Sequence, residues 1–404
     1  MKEEEILKKI RPTAEERQKI NQLVERCTHT LQGRIAEKNI AAEVSLQGSI
    51  AKDTWISGDK NIDMFLIFSH TYTREELKKY GLKIGILSEY EIAYAEHPYV
   101  RNLMEGYEVD VVPAYEFRES IRSSVDRTPL HTKYVLEHLK DKDQVRLLKK
   151  FTRSIGVYGS DLKMQGLSGY LCELLVIKYT TFRGVLEAAS SWEKKEYLFL
   201  EENPKKKFRE PFVFVDPVDL ERNVAAVLSL ENFAKFVHHS REFLENPDVS
   251  YFFREPEQYS RIKGTELYRI DFHVDLIDDI LFPQLRKTRD FLVKILETHG
   301  FRVFNSAVYD SGILLELSVF QLPPIKKHVG PPIDEREHCD RFSEKNVVAG
   351  FQKERIYALV QRKYVKAHSL LQDMLVSRQG FGKDLARAEA DLHLVSENVD
   401  VAVY

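Results

Sequence analysis

The chain has 404 residues, 43% of them hydrophobic and 30% charged: too long for one core, and apolar enough for about two to four packed domains. No run approaches the roughly 18 apolar residues of a membrane span. A formal net charge of −3 excludes attraction of a polyanion by the molecule as a whole, so any nucleic-acid contact must use local basic surface. The start, MKEEEILKKI, is acidic and amphipathic, which argues against an export signal. The three cysteines, Cys27, Cys172 and Cys339, lie far apart with no CxxC or Cys/His spacing, so neither a disulfide framework nor a zinc site is expected. A reducing cytoplasm is the expected compartment.

In chain order, the pattern predicts a helix over 14–31, a strand over 42–46, a Gly-Ser turn, and a strand over 62–68. Thr73-Arg74-Glu75-Glu76 is a capping box that opens a helix. YEIAYAEHPYV and GYEVDVVPAY are β-rich, with Glu105-Gly106 as the turn between the last two strands. From Thr128-Pro129 the helical period takes over, because proline suits a first helical position; VRLLKKFTRSIG, GYLCELLVIKYTTF and NVAAVLSLENFAKFVHHSREFL are read as amphipathic helices. After residue 246 come the strand LYRIDFHVDL, the helix DDILFPQLRKTRDFLVKILETHG and the strands FRVFNSAVY and GILLELSVFQL, a β-α-β-β order. Beyond Pro323 a charged, Gly/Pro-punctuated loop is expected, then a basic-aromatic segment over 355–366, either an RNA-contacting surface or the solvated face of an amphipathic helix.

The chemistry concentrates in QGSIAKDTWISGDKNIDMF (47–65). Side chains two apart on a strand share a face, so Asn61 and Asp63 point one way while Ile62 and Met64 point to the core. In EVDVV, Glu108 and Asp110 likewise share a face. If the two strands are neighbours, Asp63 and Asp110 converge. Convergent carboxylates are costly unless a cation neutralises them, and hard oxygen ligands select Mg²⁺. Gly48-Ser49 sits between a strand and a helix, where backbone N–H groups and a hydroxyl can hold phosphate oxygens. A Gly-Ser turn alone is most often an ordinary turn, and a lone strand-end aspartate a solvated edge. Gly-Ser, then aspartate on the next strand, then aspartate on a later apolar strand is a more specific combination. It points to nucleotidyl transfer, in which two Mg²⁺ ions about 3.5–4 Å apart would activate a hydroxyl and stabilise the leaving pyrophosphate.

GSIAKDTWISGDKNIDMF, YEIAYAEHPYV, YEVDVVPAY, SSVDRTPLHTKY, VRLLKKF, GVYG, GYLCELL and VDPVDLERNVAAVLS, in this order, closely resemble the archaeal-type (class I) CCA-adding enzymes, most densely over 40–245. The resemblance implies an α+β chain with three regions. These are a polymerase β-like nucleotidyltransferase head (1–135), a helical neck that recognises the base (136–250), and a β-α-β-β, RRM-like body and tail that bind tRNA (251–404). It implies untemplated addition of C, C and A to the 3′ end of tRNA from CTP and ATP, a Mg²⁺ cofactor, contact with the tRNA acceptor region, a homodimer and a soluble, cytoplasmic enzyme. By position it implies Asp63 and Asp110 as catalytic metal ligands, and Gly48, Ser49 and Lys52 at the triphosphate. Thr128 and His131 would lie near sugar and phosphate, Lys149 and Tyr158 at the triphosphate, and Arg222 at the base edge. Taken singly, Lys149 could be a solvated charge, His131 a helix-face histidine and Arg222 a helix cap.

Asn61 departs from the family's metal motif, an acidic residue, an apolar residue and then Asp. Its amide would be a weak or substituted ligand, and metal occupancy should weaken unless Asp59 or Glu108 compensates, or the residue was changed to stall the enzyme. A poly(A)- or oligoadenylate-type polymerase shares the Gly-Ser turn and the aspartates but has no reason to keep Arg222 with RTPLH and GVYG. A silent tRNA-binding relative has only Asn61 in its support.

Overall fold

The computed structural model describes residues 3–94, 96–118, 121–201, 206–254, 258–395 and 399–404. Ala95, inside the expected β-rich YEIAYAEHPYV, and the first two residues of MKEEEILKKI lie outside this set. The chain divides into two compact units, Met1–Glu255 and Pro256–Tyr404. Among the described residues no helix is long and apolar enough to cross a membrane.

The first unit opens with α1 (Glu3–Ile10) and α2 (Ala14–Glu37), then β1 (Ala42–Gln47), α3 (Gly48–Lys52), β2 (Asn61–Phe68), α4 (Arg74–Gly85), β3 (Glu89–Tyr94), β4 (Pro98–Met104) and β5 (Tyr107–Tyr115). The expected capping box starts α4: Thr73 Oγ1 accepts from the Glu76 backbone N–H, and the Glu76 carboxylate accepts from the Thr73 N–H. Glu105 and Gly106 both take positive φ (54° and 81°), the backbone a two-residue hairpin needs between β4 and β5. The strands form one sheet in the order β1-β2-β5-β4-β3. On β2, Ile62, Met64, Leu66 and Phe68 enter a core with Val109 and Val111 of β5 and with Ile20, Leu23 and Leu31 of α2. Each such buried side chain contributes about 1.5–3 kcal/mol, enough to fix the register and so the direction of the alternating polar residues.

The same unit continues through α5 (Thr128–His138), α6 (Lys142–Ser154), α7 (Gly169–Tyr179), α8 (Phe182–Ser190), β6 (Glu196–Leu198), β7 (Phe212–Asp216), β8 (Asp219–Asn223) and α9 (Leu230–Glu245). The neck is therefore not purely helical: β6, β7 and β8 make a small sheet in it. The helix expected from residue 223 begins only at Leu230, with Ser229 as its N-cap. The reason is local. The Asn223 side chain accepts from the Phe214 and Ala225 backbone N–H groups (3.0 and 2.9 Å) and donates to the Phe212 carbonyl (3.1 Å), closing the β7–β8 hairpin in place of a helical turn. Arg222 is thus a strand residue and caps no helix.

The second unit contains β9 (Gln258–Tyr259), β10 (Glu266–His273), α10 (Asp278–Thr298), β11 (Arg302–Tyr309), β12 (Gly312–Val319), β13 (Ile325–Pro332), α11 (Arg336–Lys345), β14 (Val348–Gln352), β15 (Arg355–Gln361), α12 (Ala367–Ser377), β16 (Glu389–Val395) and β17 (Val399–Ala402). Its main sheet runs β11-β12-β10-β16 with antiparallel pairs throughout. This is a split β-α-β arrangement, with β12 between the two strands that α10 connects. The stretch expected as a loop after Pro323 folds instead as β13, α11 and β14, and residues 355–361 form a strand and no helix. Burial there alternates with period two: Ile356 and Ala358 are buried while Arg355 and Leu359 are exposed.

Candidate active site

β2 and β5 are parallel neighbours, and their register sets Asp63 opposite Asp110 and Asn61 opposite Glu108. Paired residues on adjacent strands project from the same face about 4.8 Å apart, so the two aspartates converge. On its other side β2 pairs with β1, which places Gln47 opposite Asp63 and leads directly into Gly48. A Cβ added to Gly48 would lie 1.9 Å from Asp63 Oδ2, and Gly48 also has φ +69°, so the carboxylate occupies a cradle that a side chain would fill. Burial first, and the charge of Asp110 second, push the Asp63 carboxyl above the ordinary range, against the opposing pull of Lys52 and Arg101. Asp110 is held differently. Arg101 grips it through two bonds, Nε to Oδ1 at 2.8 Å and Nη2 to Oδ2 at 2.9 Å. Two converging hard-oxygen donors, one of them repelled and lacking a hydrogen-bond donor among the described residues, fit a divalent cation.

Gly48→Ala is expected to destabilise the fold by about 1–2 kcal/mol from the left-handed backbone alone. It should also displace Asp63 and lower turnover at the site by more than stability accounts for. Urea unfolding beside single-turnover rates checks both; an unchanged rate would separate the turn from Asp63.

A second cluster lies where α3 meets α6 and α7. Lys52, Lys149 and Glu173 are 7%, 2% and 0% exposed, so their charges must be settled inside the protein. Glu173 Oε2 accepts from Lys52 at 2.5 Å, and Oε1 accepts from the Thr54 hydroxyl at 2.5 Å and from Lys149 at 3.3 Å. Lys149 also donates to the hydroxyl (3.0 Å) and carbonyl (3.2 Å) of Thr54. Two ammonium groups share one carboxylate, which leaves one positive charge over. Burial alone would raise the Glu173 carboxyl, but the Lys52 and Lys149 charges outweigh it and hold it below its ordinary value. Tyr158 reaches the same place: a Cβ on Gly169, the first residue of α7, would stand 3.0 Å from its hydroxyl and 3.4 Å from Lys149 Cε. Burial pushes the Tyr158 phenol up to about 12, so it stays a neutral donor.

The third group sits at the β7–β8 turn. Asp216 is buried and accepts from Arg222 Nη1 at 2.7 Å, His131 Nε2–H at 2.9 Å and the Tyr170 hydroxyl at 3.2 Å. His131 stacks on Tyr170 with ring centroids 3.9 Å apart. Burial lowers the His131 pKa and keeps the ring neutral, despite the hydrogen bond to Asp216. For Asp216, burial would raise the pKa, but the hydrogen bond from His131 and the charge and hydrogen bond of Arg222 lower it. Arg127, one residue before Thr128, donates to Asp219 at 2.7 Å. Arg127, Ser168, Phe208, Glu221 and Arg222 line part of a pocket of about 550 Å³.

The sequence-derived residues therefore gather into three groups: Gly48, Asp63 and Asp110; Lys52, Lys149 and Tyr158; His131 and Arg222. Ser49 is the second residue of α3 and Thr128 the first of α5. Asp59, one of the two residues expected to compensate for Asn61, is engaged elsewhere. It accepts from Arg153 at 2.6 Å and from the Ile56 N–H at 3.0 Å. Sequence reasoning missed Glu173, Asp216 and Arg101 as site residues. The first two carry a signal, a charge inside the apolar run LCELLVI and one at the end of FVFVD; Arg101, on a half-exposed strand, carries none.

Three family models match in sequence: a nucleotidyltransferase domain over 30–141, a tRNA nucleotidyltransferase second domain over 143–253, and a CCA-adding enzyme C-terminal domain over 263–397. The chain is 41% identical to the CCA-adding enzyme of Methanothermobacter thermautotrophicus, with 92% of this chain and 87% of that protein covered. It is 36% identical to that of Methanosarcina barkeri (98% and 93% covered) and 41% identical to that of Pyrococcus abyssi (85% and 82% covered).

Proposed function

The chain belongs to the CCA-adding enzymes, a family of tRNA nucleotidyltransferases, and from that premise we propose how its own residues add C, C and A to the 3′ end of tRNA from CTP and ATP. The observation that carries the reading is the in-register pairing of Asp63 with Asp110 beside Gly48. These carboxylates would hold divalent metal, in our reading Mg²⁺. When bound, the metal supplies Lewis-acid activation of the tRNA 3′-hydroxyl and neutralises charge on the pyrophosphate. Gly48 and Ser49 offer the triphosphate backbone N–H groups and a hydroxyl. Lys52 and Lys149 bring the positive charge that Glu173 leaves unbalanced, and Tyr158 a neutral O–H. Buried and preorganised, these donors hold the phosphates without rearranging as charge develops.

Base choice falls to the third group. CTP and ATP present an exocyclic amino group beside a ring nitrogen, where UTP and GTP present a carbonyl and N–H. The Asp216 carboxylate fixes Arg222, whose remaining N–H groups are then aimed donors, while His131 and Tyr170 brace the carboxylate from the other side. Arg222 as donor, together with backbone acceptors, would match the ring nitrogen and amino group of CTP and ATP and leave UTP and GTP with unpaired polar groups, which is costly when buried. Arg222→Ala should relax discrimination against UTP and GTP by about 1–3 kcal/mol. Equal losses of kcat/KM for all four nucleotides would instead make Arg222 a phosphate or structural residue.

We divide the labour as head (1–135), neck (136–250) and body with tail (251–404), the last holding the tRNA acceptor region by shape and phosphate. The family resemblance also favours a homodimer working in the cytoplasm. The test of function is a tRNA lacking CCA, incubated with each nucleotide singly and with CTP plus ATP, followed by sequencing of the products. CCA ends are expected only from the pair. Long adenylate tails, or tight tRNA binding without extension, would overturn the reading.

A further inference from the structure

One side-chain step along the ladder from the Asp63–Asp110 pair, Asn61 on β2 is neutral and faces Glu108 on β5, and we propose that Glu108 supplies a third metal-binding carboxylate. The inference rests on the proposed metal role of Asp63 and Asp110. Glu108 is the register partner of Asn61, just as Asp110 is of Asp63. Side chains alternate along each strand, so all four project from one face of the sheet. Moving a carboxylate from position 61 to position 108 shifts its origin by one strand spacing, about 4.8 Å. It stays one side-chain step along the strand from the aspartate pair, and the longer glutamate arm can cover the difference.

The contacts agree with this. Asn61 Nδ2 donates to Glu108 Oε2 at 3.2 Å, so the neutral amide steadies the carboxylate. Glu108 Oε1 accepts no hydrogen bond among the described residues, and the side chain is 42% exposed, open to an incoming ion. Arg101, which grips Asp110, lies 3.7 Å from Glu108 Oε2 and 3.6 Å from Glu91. With Asp63 and Asp110 alone, one guanidinium already cancels half of the negative charge. Glu108 restores a surplus that a dication needs. The alternative donor, Asp59, is committed to Arg153 and to the Ile56 N–H.

The test is Mn²⁺ binding to the full-length protein without nucleotide, followed by electron paramagnetic resonance of free Mn²⁺, for Glu108→Gln, Asn61→Asp, the double variant, Asp63→Asn and Asp110→Ala. Glu108→Gln should weaken Mn²⁺ binding by roughly tenfold or more with no change in metal-free melting temperature. Asn61→Asp in that background should restore affinity to within about threefold, since it returns a carboxylate to the same layer. If Glu108→Gln stays within about twofold of the parent while Asp63→Asn weakens binding, Glu108 is not a ligand and the two-aspartate site stands. If neither Asp63→Asn nor Asp110→Ala changes Mn²⁺ binding, the metal role of the aspartates fails and this proposal with it.

Discussion

Asp110→Ala is expected to abolish nucleotide addition, by roughly 10³-fold or more, while tRNA affinity stays within a few-fold. The two properties separate because they rest on different chemistry. Asp110 faces Asp63 across the β2–β5 ladder, where it would share a cation, and preorganised charge at the reacting centre is worth about 10²–10³ in rate even for a single donor. RNA affinity comes mostly from basic groups against phosphates, and Asp110 contributes none. The substitution also frees the Arg101 guanidinium from its two-bond grip, so the site becomes less negative, a change that does not oppose RNA phosphate. Single-turnover extension of a tRNA lacking CCA, beside filter binding of the same tRNA, measures both. Retained turnover would remove Asp110 from the mechanism, and equal loss of binding would make its role structural.

Glu173→Ala is expected to cost about 3–5 kcal/mol of stability, because it leaves two buried ammonium groups with no countercharge. Glu173 is the buried anion for both Lys52 and Lys149. Glu173→Gln keeps an acceptor for Thr54 but not the charge, and should fall between the parent and Ala. The pH dependence has a definite sign. The Glu173 carboxyl is held below its ordinary value of 4.5 in the folded protein. Its contribution is therefore fully present above that value and lost as pH falls through the folded-state pKa. Urea unfolding of parent and Gln variant should diverge at neutral pH and converge on acidification. A second readout ties the cluster to substrate. If the lysines hold the triphosphate, CTP should raise the melting temperature more in Glu173→Ala than in the parent, because the polyanion replaces the lost carboxylate. A CTP shift no larger than the parent's would assign the lysines to structure alone.

Much of the head was legible because its signals are local. The Thr73–Glu76 capping box, the Glu105-Gly106 turn and the alternation in NIDMF each depend on residues within a few positions of one another, and all three fold as read. The helix read over 223–244 failed for an equally physical reason. Its periodicity was genuine only from Leu230 on, and Asn223 ends a hairpin whose partner strand nothing in that window specifies. The region after Pro323 failed similarly, since β13, β14 and β15 are stabilised by pairing with each other more than by any strong period of their own.

By itself the sequence determined which side chains are polar on an apolar strand, where turns and caps fall, and, through the order of its motifs, which family the chain belongs to. Only the tertiary structure decided which polar groups meet. The β2–β5 register set Asp63 against Asp110 and Asn61 against Glu108, while Lys52 found Glu173 at a separation of 121 residues and His131 found Asp216 at 85. Local periodicity is a property of one segment and can be read along it. A buried charge has to be neutralised by whatever the packing of the cores brings next to it, and that neighbour is fixed by the whole chain's burial of apolar surface, not by any spacing in the sequence.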